Sequence, residues 1–212
     1  LKACVQALLR QQYPAMEIVV ADAKAGINVA DACNLAISAA DAEVVAIVDA
    51  RCTLRTDGAL QALVARACLP GAGAVGVKLL STRGRIVGNA QLLGTDLGYS
   101  PLAEGIRAHR GGYFGRARLP QHVGALSEGC VVVRNDHLRR VGWLDPTYRD
   151  MGAAMVDFTY RLNAYALRNH WVPTIEATLV SQHWSARRAA AIDAARVAKR
   201  WGLAGRRDAH YN

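Results

Sequence analysis

The sequence predicts an α/β protein whose mainly parallel sheet is covered by helices on both faces. Helical spacing at Lys2–Gln11 is followed by short apolar runs at Glu17–Val20 and Val44–Val48. Runs of four or five residues rich in Val and Ile are typical of buried strands in such a sheet. The chain has 212 residues, 52% hydrophobic and 6% aromatic, which suffice for one domain with a sizeable core.

The remaining elements continue this alternation and become less regular in the second half. We predict helices at Val29–Ala40 and from an Asp57 N-cap through Ala67. We therefore expect one domain over residues 1–185 and an amphipathic helical tail over residues 186–212. The later predicted elements are strands at Ala74–Leu80 and Cys130–Arg134, helices at Asp136–Val141 and Ala153–Asn169, an extended segment at Trp171–Gln182, and the tail helix at Ala186–Trp201.

Charge and composition narrow the classes of partner. The formal net charge is +9, but the basic residues form no single tract and no aromatic residues interleave with them, which disfavours a nucleic-acid groove. The five cysteines include no C-x-x-C pair, a pattern that indicates reduced thiols in the cytoplasm. The basic tail helix offers a contact with acidic lipid head groups, with a solvated face or an interdomain contact as alternatives.

Two acidic residues follow the first two predicted strands. Asp22 comes directly after Glu17–Val20, and Asp49 directly after Val44–Val48. Ligands of α/β sheets bind beyond the carboxyl ends of the strands, so both positions are candidates for a binding site. The alternatives are that Asp22 only caps a turn and that Asp49 is a solvated turn residue.

Several segments in register carry a resemblance to a known family. Together they resemble family 2 glycosyltransferases, which have the GT-A fold, and in particular the subgroup that builds bacterial O-antigen and related surface polysaccharides. The resemblance covers nearly the whole chain. The matching segments are Leu1–Asp22, the G-x-x-x-A-x-x-x-N pattern from Gly26 to Asn34, Gly73–Leu80, the G-Y-F-G-R run Gly112–Arg116, Ser127–Asp145 and Val156–Leu162.

This resemblance implies an inverting transfer from a nucleotide-diphosphate sugar to a glycan or lipid-linked glycan. A divalent cation, Mn²⁺ or Mg²⁺, would help to hold the diphosphate, with Asp49 as its ligand, and a carboxylate would take the proton of the acceptor hydroxyl. The residues that the resemblance places on the donor are Asp22, Asn34, Asp49, Arg51 and His183. Those that it places on the acceptor side are Tyr113, Phe114, Gly129 and Cys130.

Two departures from the family pattern fall on the chemistry. Arg51 occupies the place of the second metal-binding acid, and a guanidinium cannot ligate a cation. Met155 occupies the place of the catalytic base. Arg51 could instead bind phosphate oxygens directly without metal, or be an ordinary surface charge. Asp157, Asp150 or Glu128 could act as a displaced base, although Asp157 is also spaced to pair with Arg161.

Two functional hypotheses therefore remain open. One is a nucleotide-sugar-dependent transferase at the inner face of the cytoplasmic membrane. The other is a catalytically inactive GT-A domain that binds nucleotide or glycan, or organises other domains of a longer protein. Leu1 falls within a helical pattern, and the family has one more strand before it. We therefore expect the chain to need further N-terminal residues or a partner to be stable, because a missing strand exposes sheet edges.

Overall fold

The computed structural model describes residues 1–23, 27–95, 98–180, 186–203, 208 and 210. Ten strands and six α-helices are present in these residues. The helices are α1 (Lys2–Leu9), α2 (Val29–Ala39), α3 (Ala59–Ala67), α4 (Asn135–Val141), α5 (Met151–Ala164) and α6 (Ala186–Trp201). The strands are β1 (Val44–Val48), β2 (Cys52–Leu54), β3 (Ala72–Leu80), β4 (Ile86–Gly88), β5 (Ala90–Leu93), β6 (Tyr99–Pro101), β7 (Gln121–Val123), β8 (Ala125–Leu126), β9 (Cys130–Arg134) and β10 (Arg168–Leu179).

The main sheet has seven strands, with β1-β9-β3-β10-β2 as its central order, β4 beside β3 and β7 beside β10. It is mixed rather than mainly parallel. β9 enters between β1 and β3 and runs antiparallel to both, whereas β3 and β10 are parallel neighbours. As a result β1, β3 and β10 all end, and β9 begins, on the same side of the sheet, the side formed by the ends of these strands. We call this the site edge.

Apolar side chains cover both faces of the sheet, as the sequence predicts. On one face α3 packs through Leu60 and Leu63 against Val75 and Val77 of β3. On the other, α2, α4 and α5 share a larger core with alternate residues of the same strands, including the fully buried Trp171. The α/β fold class is therefore confirmed.

The predicted strand at Glu17–Val20 is wrong. The segment has no regular secondary structure, and Val19 and Val20 are 48% and 54% exposed. An apolar run becomes a strand only when a neighbour accepts and donates its backbone hydrogen bonds. Among the described residues no strand pairs with this segment, although β1 is the end strand of the main sheet and pairs only with β9.

The beginning of α3 also differs from the prediction. Its N-cap is Gly58, in a left-handed conformation with φ of 67°, rather than Asp57. The Ala59 N–H has no local side-chain cap and donates instead to Oε1 of Gln11 at 2.8 Å. Gln11 lies 48 positions earlier in the chain. A long-range side chain thus replaces the local cap that the sequence suggested.

The bounds of α5 are shifted towards the N-terminus. The helix begins at Met151, with Asp150 as its N-cap accepting a hydrogen bond from the Ala153 N–H at 2.8 Å. It ends before Ala166, which has φ of 61°, and β10 has already begun at Arg168. The predicted helix therefore overlaps the first residues of β10, the longest strand. Among the described residues, no helix is long and apolar enough to cross a membrane.

Candidate functional site

The site edge brings together charged residues from three separate parts of the chain. Asp49 and Arg51 lie in the short connection between β1 and β2, and Glu128 lies two residues before β9. The backbone joins these segments, because the Asp49 N–H donates to the Gly129 carbonyl at 2.9 Å. Arg51 is fixed to the end of β10 through the Val180 N–H, which donates to its carbonyl at 3.0 Å.

Asp49 and Arg51 form a closed ion pair. The backbone N–H of Arg51 donates to Asp49 Oδ1 at 2.8 Å, and its guanidinium contacts both carboxylate oxygens, the shortest at 2.6 Å. Burial alone would raise the pKa of Asp49, but the hydrogen bonds from Arg51 outweigh it and hold that pKa below its ordinary value. Asp49 is therefore a carboxylate at neutral pH with both of its oxygens in use.

Glu128 and Asp150 form an acid pair beside this ion pair. A Cβ at Gly152 would lie 2.3 Å from Glu128 Oε2 and 2.9 Å from Asp150 Oδ2, so the two oxygens flank the same small space. Burial, followed by the charge of Asp150, raises the pKa of Glu128 to about 7. Burial also raises the pKa of Asp150. Like charges in a confined space cannot both ionise freely, so Glu128 exchanges its proton near neutral pH.

Arg51 lies within electrostatic reach of this acid pair. Its pKa is raised chiefly by the hydrogen bond with Asp49, and the charges of Glu128 and Asp150 act in the same direction. Tyr99 faces the same acids: burial raises the pKa of its phenol, and Asp150 and Glu128 add to the effect. The phenol is consequently neutral and able to donate a hydrogen bond at the site.

Helix α6 positions Asp150 through its backbone. The side chain of Asp193, 3% exposed, accepts hydrogen bonds from the Arg149 N–H at 2.6 Å and from the Asp150 N–H at 2.8 Å. Arg196 reinforces this contact by donating to the Thr147 carbonyl and to Asp193. The helix predicted as a tail therefore packs on α5 and fixes one side of the acid pair.

Asp157, a predicted catalytic residue, is a completely buried ion-pair partner. It accepts from Arg161 Nε at 3.1 Å and from Trp201 Nε1 at 2.8 Å, and Arg200 lies 3.3 Å away. The predicted pair with Arg161 is thus confirmed, while this geometry gives Asp157 no opening towards a substrate. Met155, which the sequence resemblance places at the position of a catalytic base, is also completely buried in the core.

Two predicted donor residues, Asp22 and Asn34, take no part in the acid pair, and a third lies outside the described residues. Asp22 is exposed and follows no strand, so the geometric argument that selected it fails. Asn34 uses both ends of its amide on the Leu144 backbone, at 2.8 and 3.1 Å, and so joins α2 to the segment after α4. His183 lies in residues 181–185, outside the described residues.

The predicted acceptor-side residues divide into two groups. Gly129 and Cys130 are at the site edge, where a Cβ on Gly129 would meet Leu79 Cδ1 at 2.3 Å. Cys130 is a fully buried thiol, and burial raises its pKa to about 12, so it contributes packing rather than a reactive sulfur. Tyr113 and Phe114 lie at the tip of an exposed loop, in a 3-10 turn over Tyr113–Gly115.

The residues present do not fit the predicted divalent cation. Such an ion requires several oxygen ligands. Both oxygens of Asp49 already contact Arg51, and the described part of the chain contains no group of three or more His, Cys, Asp or Glu side chains able to hold a metal ion. The expected metal role of Asp49 is therefore not supported by its surroundings.

The acid pair was only partly visible in the sequence. Glu128 was one of three alternatives for a base, and Tyr99, Gly152 and Asp193 were not selected at all. The signal for Glu128 was its place just before an apolar strand. It becomes informative only if that strand, β9, is known to run antiparallel and so to begin at the site edge.

Of the comparisons with known proteins, the one with solved structures bears on the fold. No protein-family model matches the sequence. The chain is 30% identical over 145 residues to an uncharacterized protein, y4gI, of Sinorhizobium fredii (strain NBRC 101917 / NGR234); the match covers 68% of this chain and 16% of that protein. It is also similar to a structure of GalNAc-T7 solved with UDP, GalNAc and Mn2+, with a TM-score of 0.58 and 12% identity over 81% of this chain and 34% of the other. The chain thus has a GT-A-like fold and spans a small part of both proteins.

Proposed function

We propose that the chain is a glycosyltransferase-like domain that binds a nucleotide-diphosphate sugar at the site edge and transfers the sugar to a hydroxyl group of a glycan or lipid-linked glycan. One observation carries the proposal. The acid pair Glu128–Asp150 lies beside the guanidinium of Arg51 at the strand ends of a GT-A-like sheet, which is where α/β folds bind their ligands.

In this reaction Glu128 is the base. With a pKa of about 7 it is partly ionised at neutral pH, where a base is most effective. The acceptor oxygen forms a bond to the anomeric carbon, the bond from that carbon to the diphosphate oxygen breaks, and the hydroxyl proton passes to Glu128. The Arg51 guanidinium releases the Asp49 carboxylate and binds diphosphate oxygens instead. Its positive charge then stabilises the negative charge of the leaving group.

The finer part of the proposal rests on the resemblance of the sequence to family 2 glycosyltransferases. We propose an inverting transfer in surface polysaccharide assembly, with no metal step, because Arg51 fills the place of the cation. The GalNAc-T7 structure contains UDP and Mn2+, which supports a nucleotide-sugar donor here, while the Arg51–Asp49 pair is the reason to expect a different charge partner for the diphosphate.

A second candidate is a non-catalytic module that binds nucleotide or glycan. Two observations favour it. Met155 is sealed in the core at the position of the family's base, and the Asp49–Arg51 pair already satisfies its own charges. In this case the site edge recognises a ligand but does not turn it over, and transfer is performed by another domain.

Calorimetry and a product assay together separate these candidates. UDP-, GDP- and dTDP-sugars are titrated with and without Mn²⁺, and release of nucleoside diphosphate is followed for Glu128→Gln. The control is Glu43→Gln, an exposed acid at the opposite edge of the sheet, just before β1. We expect the unmodified chain, Glu128→Gln and Glu43→Gln all to bind the donor without metal. Turnover should fall by about 10²-fold or more in Glu128→Gln alone.

Each other outcome has a definite meaning. Donor binding without turnover in the unmodified chain supports the non-catalytic module. Binding that requires Mn²⁺ contradicts the role given to Arg51. Turnover that Glu128→Gln leaves unchanged contradicts the choice of base, and the absence of binding to every donor contradicts a nucleotide-sugar site at this edge.

A further inference from the structure

A basic surface with an apolar tip lies outside the candidate site. Its tip consists of Tyr113, Phe114 and Leu119, which are 60%, 82% and 58% exposed. We call it the basic-aromatic face. Three exposed arginines flank the tip in sequence and a fourth is joined to one of them by a backbone bridge, while Glu104 is the one acidic residue within residues 98–120. These arginines are Arg85, Arg107, Arg110 and Arg118.

Backbone contacts bring the parts of this face together. The turn after β3 pairs with the segment that precedes the tip through a bridge between Arg85 and Arg107, and the Ala108 N–H donates to the Gly84 carbonyl at 3.0 Å. The buried ammonium of Lys78 donates to the Ala108 carbonyl at 3.2 Å and fixes the same segment to β3. The arginines are therefore held on one surface by the fold.

The tip is an ordered projection. At its base Ala117 is 1% exposed, and its N–H donates to the Gly111 carbonyl at 2.9 Å. The rings of Tyr113 and Phe114 meet edge to face, with centroids 4.6 Å apart. Phe114 has φ of 48°, a left-handed conformation that disfavours a bulky residue. The fold thus presents a large apolar ring to solvent at a conformational cost.

We propose that the basic-aromatic face docks on an anionic phospholipid surface. Exposed aromatic and aliphatic side chains enter the head-group region, where one end of an aromatic side chain remains near water. The neighbouring arginines pair with the phosphates of an anionic leaflet. Glu104 is the only carboxylate among residues 98–120 to oppose that attraction.

This face is a better membrane contact than α6, the element that the sequence suggested. Of the basic residues on α6, Arg196 donates to the Thr147 carbonyl and Arg200 pairs with Asp145 and Asp157. These contacts hold both guanidiniums against the protein, although each side chain is nearly half exposed. The basic-aromatic face differs in that its arginines, of which Arg85 donates to the Gly105 carbonyl, accompany the exposed apolar side chains of the tip.

A single-stranded nucleic acid also favours arginine and aromatic residues. The tip suits it less well, because the two rings stand edge to face at 90° to one another and do not form a row of parallel faces on which successive bases could stack. Leu119 adds an aliphatic side chain that offers a base no stacking surface. The inference is independent of glycosyl transfer.

Vesicle co-flotation tests the proposal with the purified chain. We expect binding to vesicles that contain phosphatidylglycerol, weaker binding to phosphatidylcholine alone, and loss of binding at high salt. Arg110→Glu with Arg118→Glu should lower the partition coefficient by more than about tenfold. Phe114→Ser should lower it by about fivefold or more while leaving the fold intact, because that ring is 82% exposed.

The controls change the same chemistry elsewhere. Arg10→Glu with Arg139→Glu makes the same change of net charge on α1 and α4, and Ile192→Ser removes an exposed aliphatic side chain, 61% exposed, from α6. Both should bind vesicles as the unmodified chain does. Equal binding to both kinds of vesicle, equal losses in control and test variants, or displacement of the chain from vesicles by a single-stranded oligonucleotide would each overturn the proposal.

Discussion

The ion pair of Asp157 gives the sharpest test of how the second half of the chain is held together. Asp157→Ala leaves the Arg161 guanidinium, 14% exposed, without its carboxylate and the Trp201 indole N–H without its acceptor. Removing one member of a buried pair typically costs about 3–5 kcal/mol. Arg161 keeps three backbone carbonyl acceptors, so we expect a loss of about 3 kcal/mol in the free energy of unfolding.

Urea denaturation followed by circular dichroism measures this loss. The matched control is Asp136→Ala, which breaks an exposed pair with Arg134 and should leave the free energy of unfolding nearly unchanged. Replacing both Asp157 and Arg161 by apolar residues should cost less than Asp157→Ala, because no buried charge is left alone. If Asp157→Ala proves as mild as Asp136→Ala yet abolishes sugar transfer, the structural role is refuted and the predicted base role is correct.

Three further predictions concern the acid pair and the thiols. Because the pKa of Glu128 is raised from 4.5 to about 7 in the folded chain, folding stability should fall as pH rises through that window, and Glu128→Gln should flatten this part of a stability–pH curve from urea titrations. Gly152→Ala should lower the transfer rate, measured as release of nucleoside diphosphate, because its Cβ would lie 2.3 Å from Glu128 Oε2 and displace it. A chromogenic disulfide reagent should label Cys68, which is exposed, rapidly in the folded chain, whereas Cys52 and Cys130, both completely buried, should react only on unfolding, as peptide mapping would show.

Local patterns predicted most of the elements but not how they pair. β1 and α6 lie where the periodicity of the sequence placed them, because apolar runs and amphipathic spacing are local properties. Glu17–Val20 has the same local pattern as β1 but no neighbouring strand to pair with. The direction of β9 was equally invisible, since it depends on which strand lies beside it rather than on the residues of β9 itself.

The sequence identified the site residue that follows a strand end, but not the features of the site that arise from packing between distant segments. Asp49 was found because β1 ends there. The raised pKa of Glu128 depends on burial and on Asp150, a residue 22 positions away that reaches the site only because α5 begins beside it. Asp193 was missed for the same reason, because its two backbone hydrogen bonds come from a segment 43 and 44 residues earlier.

The charges at the site edge set opposite requirements for binding and for reaction. When fully ionised, Asp49, Glu128 and Asp150 share one guanidinium, that of Arg51. A diphosphate is repelled by this excess of carboxylates, so its affinity should rise as pH falls through about 7 and Glu128 becomes neutral. The base must be ionised, so the rate constant should fall over the same range. Since only the form with ionised Glu128 reacts, we expect kcat/KM to rise with pH through about 7 and then level off, while donor affinity in calorimetry falls over the same range. A donor affinity that stays constant as pH crosses about 7 would show that the diphosphate does not meet Glu128, and the site would have to lie elsewhere along the edge.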